Sequence, residues 1–286
     1  MSRSNKQSTH HDWSQDDISL FSSPAWSVKF LKSFRPSGPW VLSAIYEGSA
    51  PETVTFHAGQ EDAMQAWIEK RQAQFHNLYF NPAETKGPVS KKTSKGDMAC
   101  SWWLWAEIDL LEGTDHTNAA LVQAAKNAIV KRLKAVEGPY YWGGLTLPPS
   151  IIIDSGGGIH AYWHLELPHS LETAEDYEVF ETINQAIGKA FTADNCFNCD
   201  RIMRLPWTTN FPDAGKRSKG RRATCASIVE FDETRVYDFE EIKAQVEELA
   251  AKEGTARERR EKAKAARAEL AGWQELDGEA LYNGLD

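Results

Sequence analysis

An α+β fold is what the order of segments predicts, with antiparallel strand pairs beside helical crossovers. Two observations carry it. Short runs rich in β-branched and aromatic residues alternate irregularly with segments of helical period. In addition, a strand rather than a helix follows the chain's one run of three glycines, which argues against a parallel dinucleotide-binding sheet.

Taken in order, residues 1–16 are polar, contain no signal-peptide core and predict a disordered tail on a cytoplasmic protein. Residues 17–238 have the pattern of a globular domain. Strands are expected over 40–46 and 53–57, a helix over 61–74 and a short strand over 78–80, followed by a basic loop over 82–96. The aromatic-rich run 102–111 predicts a strong strand, and 117–136 a helix. After Pro148 and Pro149 come strands over 151–153 and 161–165 around the glycine turn, then a helix over 173–191 and strands over 201–205 and 226–231. Residues 239–286, dense in Glu, Lys, Arg and Ala, predict a charged helical extension or linker.

At 41% hydrophobic over 286 residues the chain can bury a substantial core. No apolar run approaches the roughly 18 residues that cross a bilayer, so no membrane partner is expected. Cys100, Cys196, Cys199 and Cys225 are too few for a disulfide framework at this length, and reduced thiols are expected. The net charge of −9 excludes histone-like coating of nucleic acid but leaves room for a local basic groove. Lys216, Arg217, Lys219, Arg221 and Arg222 are the tightest cluster and the candidates for holding DNA phosphates, against a solvated loop as the plainer reading. Lys86, Lys91, Lys92 and Lys95 form a looser one.

Three constellations carry chemistry. On the strand over 102–111, Glu107 and Asp109 are two apart and share a face, while Ile108 points to the core. Paired hard oxygen donors on one strand suit Mg²⁺ or Mn²⁺. An isolated pair of this kind is more often a polar face, but apolar surroundings make two uncompensated charges costly. The second constellation is Ser155-Gly156-Gly157-Gly158-Ile159-His160, where glycines let backbone N–H groups approach a phosphate and Ser155 and His160 add donors. It is not a Walker loop, because G-x-x-x-x-G-K-S/T is absent. The third runs from Asp194 through Asp200, Arg201 and Arg204 to Asn210: the arginines can clamp phosphates, and Asp194 or Asp200 can supply a third carboxylate. Together they contain the parts of two-metal phosphoryl transfer.

In order and spacing these stretches resemble the three motifs of the archaeo-eukaryotic primase superfamily, in the style of phage and plasmid primase-polymerases. Glu107 and Asp109 match the acid-x-Asp motif; Ser155, Gly156, Gly158 and His160 match S-G-x-G-x-H; Arg201 to Pro206 with Thr208 and Asn210 match R-hhR-L-P-G-T-x-N. Leu78 to Asn81 sit where members often carry an aromatic strand, and the likeness spans residues 77–230. Glu107 stands where many members have Asp, and Trp207 replaces the usual glycine.

The resemblance implies an RRM-like palm joined to an N-terminal α/β subdomain, with the charged helix following. It implies template-directed synthesis from NTPs or dNTPs on single-stranded DNA. Glu107, Asp109 and Asp194 (or Asp200) would be the metal ligands, with His160 completing the catalytic set. Ser155, Gly156, Gly157, Gly158, His160, Arg201 and Arg204 would serve the nucleotide. Without an ATPase motif, unwinding is expected from a replicative helicase in trans or in a missing C-terminal region.

Two other classes compete. His164-x-Glu166 and Cys196-x-x-Cys199 mimic a zinc deaminase signature, but Asn195 replaces its proline and His164 falls on a strand, so zinc is not expected. A non-catalytic single-strand binding module could use the eleven tryptophans for stacking, although paired acids would repel phosphate. Rolling-circle nicking needs a His-x-His pair that is not seen here.

Overall fold

A computed structural model describes residues 18, 20–111, 113–135 and 146–252. The expected tail, residue 136 of the predicted helix and the extension past 252 lie outside the described residues. The chain divides into two compact units, 1–243 and 244–286.

The chain opens on α1 (Pro24–Phe34), where Ser23 caps the helix by accepting from the Trp26 N–H and Pro24 starts it without a wasted donor. β1 (Trp40–Ile45), β2 (Glu52–Phe56), α2 (Glu61–Ala73) and β3 (Asn77–Phe80) follow, then β4 (Glu84–Thr85) and β5 (Met98–Asp109). α3 (Ala119–Lys134), β6 (Ile151–Asp154), β7 (Gly158–Ser170) and α4 (Ala174–Ala190) complete the middle. The last third contains β8 (Met203–Arg204), β9 (Thr209–Asn210), α5 (Ala214–Ser218), β10 (Thr224–Cys225), β11 (Ser227–Phe231), β12 (Val236–Tyr237) and α6 (Phe239–Lys252).

Two sheets organise these elements. The smaller has the order β2-β1-β3-β8, antiparallel throughout. The larger has the order β11-β6-β7-β5-β4, also antiparallel, with β12 added in parallel to β7. β9 and β10 form a separate ribbon. An aromatic cluster cements α1 and β3 to the large sheet: Phe34 stacks on Trp103 at 4.3 Å and meets Phe80 and Tyr162 edge-on. Aromatic pairs add roughly 0.5–1.5 kcal/mol each beyond the area they bury. On β5, Trp105 packs against Phe180 of α4, and Asn184 of the same helix accepts the Trp105 backbone N–H.

The α+β expectation holds, with several local differences. α1 was not anticipated, because its apolar positions are interleaved with Trp26, Lys29 and Lys32 on the outward face. β5 starts at Met98 and β7 continues to Ser170, both longer than expected, since each lends the other a partner for most of its length. Conversely, the strand expected over 201–205 shrinks to β8. It pairs with β3 at only Met203 and Arg204, and Pro206 brings no N–H to extend a ladder. The loop expected over 82–96 contains β4, and the basic run begins in α5, whose first turn is capped by Asp213.

Candidate active site

The register of β5 against β7 assembles the site. Glu107 stands opposite His160 and Asp109 opposite Gly158, so the two acids and the histidine lie on one face. A Cβ at Gly158 would come within 2.6 Å of the Ile108 carbonyl oxygen and 2.9 Å of Asp109 Oδ1, so only glycine lets the turn close this tightly on the acid strand.

The turn itself is held by Ser155. Its N–H donates to the Gly158 carbonyl at 2.9 Å, its hydroxyl donates to the same oxygen, and that hydroxyl accepts from the Gly158 N–H. Gly156 takes φ +84°, a left-handed conformation that glycine adopts without strain. Beneath the turn, the buried Lys126 of α3 donates to both Asp154 oxygens at 2.8 and 2.9 Å, and Asp154 Oδ1 accepts the Gly156 N–H at 2.8 Å.

Asp194 arrives from the loop after α4. Its N–H donates to the Glu107 carbonyl at 2.9 Å, occupying an edge of β5 that β4 pairs only at Met98 and Cys100. Its carboxyl faces that of Asp109 closely enough for each charge to oppose the other. Withdrawal from water, then the charges of Asp194 and Glu107, push the Asp109 carboxyl up to about 6. Asp200 is elsewhere, its carbonyl bonded to the Thr93 hydroxyl and its charge felt by Lys95. Of Asp194, the third acid expected from the sequence, and its alternative, Asp200, the former is the one beside the pair.

Glu107 has the opposite environment. Burial acts to raise its pKa, but three donors outweigh it: His160 Nε2 at 3.4 Å, the Cys196 thiol at 3.0 Å and Arg201 Nη2 at 2.9 Å. Its carboxyl is therefore held well below the ordinary range. Burial and the Glu107 charge push the Cys196 thiol up, which keeps it a donor. The Nδ1 of His160 is buried and has no hydrogen-bond partner among the described residues.

Arg204 is buried and engaged with protein groups. It donates to Asn77 Oδ1, Tyr79 Oη and Asn210 Oδ1 at 2.8–2.9 Å and lies over the Tyr79 ring. Asn210 in turn donates to the Ser155 carbonyl, so Arg204 reaches the glycine turn through one amide.

On the outer side of that turn is a cavity of about 390 Å³, with Gly156, Gly157 and Asn210 on one wall and Lys216, Arg221 and Arg222 among the rest. Arg221 faces both the turn and His116, to whose Nε2 its Nε donates at 3.4 Å. Of the other basic candidates, Arg217 is spent on Glu47 and the Pro212 carbonyl. Lys219 is not among the lining residues. His164 stacks on Trp103, and the backbone N–H of Cys199 is held by Glu181, so the residues of the zinc-like pattern have separate neighbours.

As the side chains stand, no three His, Cys, Asp or Glu groups among the described residues converge closely enough to hold a metal ion. The Glu107 oxygens are turned to His160, Cys196 and Arg201. The donor chemistry nonetheless fits a hard divalent cation. Two aspartates crowd each other, and a third carboxylate, Glu107, is two residues away on the same face of β5.

Sequence reasoning missed Lys126, Asp154, Cys196 and His116 as members of this neighbourhood. Only Asp154, next to the serine-glycine motif, offered a local signal.

No family model matches the chain, and no curated protein matches it. Solved structures do. The AEP domain of the cyanophage S-2L primase-polymerase superposes with a TM-score of 0.51 at 16% identity, covering 77% of this chain and 96% of that one. Primase RepB' gives 0.50 at 12% identity over 86% and 68%. The catalytic domain of primase RepB' in complex with initiator DNA gives 0.50 at 10% identity over 80% and 94%. At these identities the shared property is the fold.

Proposed function

We propose that this archaeo-eukaryotic primase fold carries a DNA primase-polymerase, transferring nucleotides from NTPs or dNTPs onto a strand directed by a single-stranded DNA template. The observation that supports it most is the register that sets Glu107 and Asp109 against His160 and Gly158, with Asp194 hooked beside them and a basic cavity behind the glycine turn.

Asp109, Asp194 and Glu107 would hold Mg²⁺ or Mn²⁺, which when bound would activate the attacking 3′-hydroxyl and neutralise charge on the triphosphate. The chain's own part is positioning and charge. Gly156 and Gly157 offer a wall without side chains that phosphates can approach closely. Lys216, Arg221 and Arg222 supply positive charge around it. Arg201 and His160 are donors now aimed at Glu107; a phosphate oxygen drawing them away would free that carboxylate. Arg204 acts at one remove, fixing Asn210 and through it the turn. Replication of phage or plasmid DNA, with a helicase partner for unwinding, is the setting this reading suggests.

Asp109→Ala tests it. Nucleotide incorporation on single-stranded DNA with Mn²⁺ should fall by about 10³-fold or more, while the variant still binds a labelled oligonucleotide. Undiminished synthesis would remove the acids from the mechanism. A wild-type chain that binds DNA and never incorporates would leave a binding module instead.

A further inference from the structure

Trp207 occupies the turn between β8 and β9 with φ +64°, a conformation that L side chains adopt only under strain. Its backbone is pinned from both sides. The Trp207 N–H donates to the Ala226 carbonyl at 2.8 Å, and its own carbonyl accepts from the Ser23 N–H at 2.8 Å. The conformation is thus imposed by neighbours and would persist without the indole. A glycine would fill the position at lower cost, so the ring itself needs a reason.

The ring meets Trp26 of α1, with centroids 6.0 Å apart and planes tilted by 44°. If the pair served only to staple the helix to the turn, burial would be its reward. Yet Trp26 is 53% exposed. Lys29 lies one turn along the helix, with its Nζ 4.6 Å from the Trp26 ring. The helix carries Lys29 and Lys32 and no acidic residue. Lys32 is paired with Glu61 at 3.3 Å, so Lys29 is the charge that serves the pair, with Trp26 exposed and Trp207 half-buried beside it. An exposed indole with a lysine over its face is a combination that stacks a base and steadies its phosphate. The location agrees: Asn210 on the cavity wall is three positions beyond Trp207, a span of at most about 11 Å.

We infer that Trp207 and Trp26, with Lys29, form a stacking platform for a base of single-stranded DNA next to the nucleotide cavity. The identity of that strand as a template rests on the function proposed above; the platform itself is tested by binding alone.

The experiment measures fluorescence anisotropy of a labelled oligo-dT, together with thermal denaturation and nucleotide incorporation. The variants are Trp207→Gly, Trp207→Phe and Trp26→Ala. Trp207→Gly should weaken oligonucleotide binding by about 10-fold or more with a melting temperature equal to or above the parent's. Trp207→Phe, which keeps an aromatic face, should recover most of the affinity. Trp26→Ala, at an exposed helical position, should repeat the loss without relying on the strained turn. Unchanged affinity in both Trp207→Gly and Trp26→Ala overturns the platform, as does a loss that appears only with a lowered melting temperature. Leu20 and Phe21, 98% and 77% exposed, adjoin α1 in sequence. Self-association that Trp207→Gly abolishes, with DNA affinity unaltered, would make the surface a protein contact and also overturns it. A parent chain that incorporates nucleotides while the variants bind normally sinks the platform alone. A parent that neither binds DNA nor incorporates sinks the function proposed above.

Discussion

Replacing Lys126 by Met probes the support beneath the glycine turn, because it keeps the buried stem and removes only the charge. Lys126 is 4% exposed, and its ammonium donates to both oxygens of Asp154 and to the Gly156 carbonyl, the last at 3.3 Å. With the ammonium gone, Asp154 keeps one donor, the Gly156 N–H, and an uncompensated charge. Breaking a buried pair from one side costs about 3–5 kcal/mol. For a domain of this size that is a fall of about 6–20 °C in melting temperature. Thermal denaturation followed by circular dichroism measures it directly. Lys126→Met/Asp154→Asn removes the stranded charge and retains an acceptor for the Gly156 N–H, so it should be more stable than the sum of the single losses by about 2 kcal/mol. Single variants within about 0.5 kcal/mol of the parent, or a strictly additive double variant, would refute the assignment of this pair as the turn's anchor.

Two further outcomes are expected. Gly158→Ala would place a methyl 2.6 Å from the Ile108 carbonyl oxygen and 3.1 Å from the Asp109 Cα, both backbone, so the strands must part. A loss of about 3 kcal/mol or more should appear on thermal denaturation, and a variant as stable as the parent would mean the approach is looser than described. Asp176, whose carboxylate accepts from the Thr173 and Glu172 N–H groups and from the Ser170 hydroxyl at the start of α4, is held at about 2 against an ordinary 3.8. A depressed folded-state value stabilises above the unfolded value and is lost as pH falls through the folded one. The melting-temperature gap between parent and Asp176→Asn should therefore be full above about pH 4 and close toward about pH 2; a gap independent of pH would contradict the cap.

The parts of the site that lie within a few residues of one another were legible in the sequence. Alternation places Glu107 and Asp109 together whatever the rest of the chain does, and the serine-glycine run announces its turn by composition. What was illegible depends on contacts between distant segments. Spacing to the arginines favours Asp194 over Asp200 without excluding the latter; what sets Asp194 beside the pair is one backbone bond to the Glu107 carbonyl on the edge of β5. Lys126 sits among alanines and other cations, and only the packing of α3 against β7 reveals that it is buried. Arg204 looked like a second phosphate clamp because arginines three apart suggest one, whereas Tyr79, Asn77 and Asn210 have claimed its donors. At Trp207 the sequence raised a doubt about the turn, and the backbone answers it: the glycine-like conformation survives the replacement.

The pairing of β3 with β8 joins residues 125 positions apart in the chain, as the bond between Tyr79 and Arg204 marks. A growing polypeptide therefore cannot finish its first sheet when that sheet's early strands leave the ribosome. It must wait until Arg204 has been made, and such non-local closure is slow. The same late strand brings Arg204, and with it Asn210 and the serine-glycine turn. Completion of the small sheet and the bracing of the serine-glycine turn through Asn210 then come together, after β5 and β7 have already set the acids against His160.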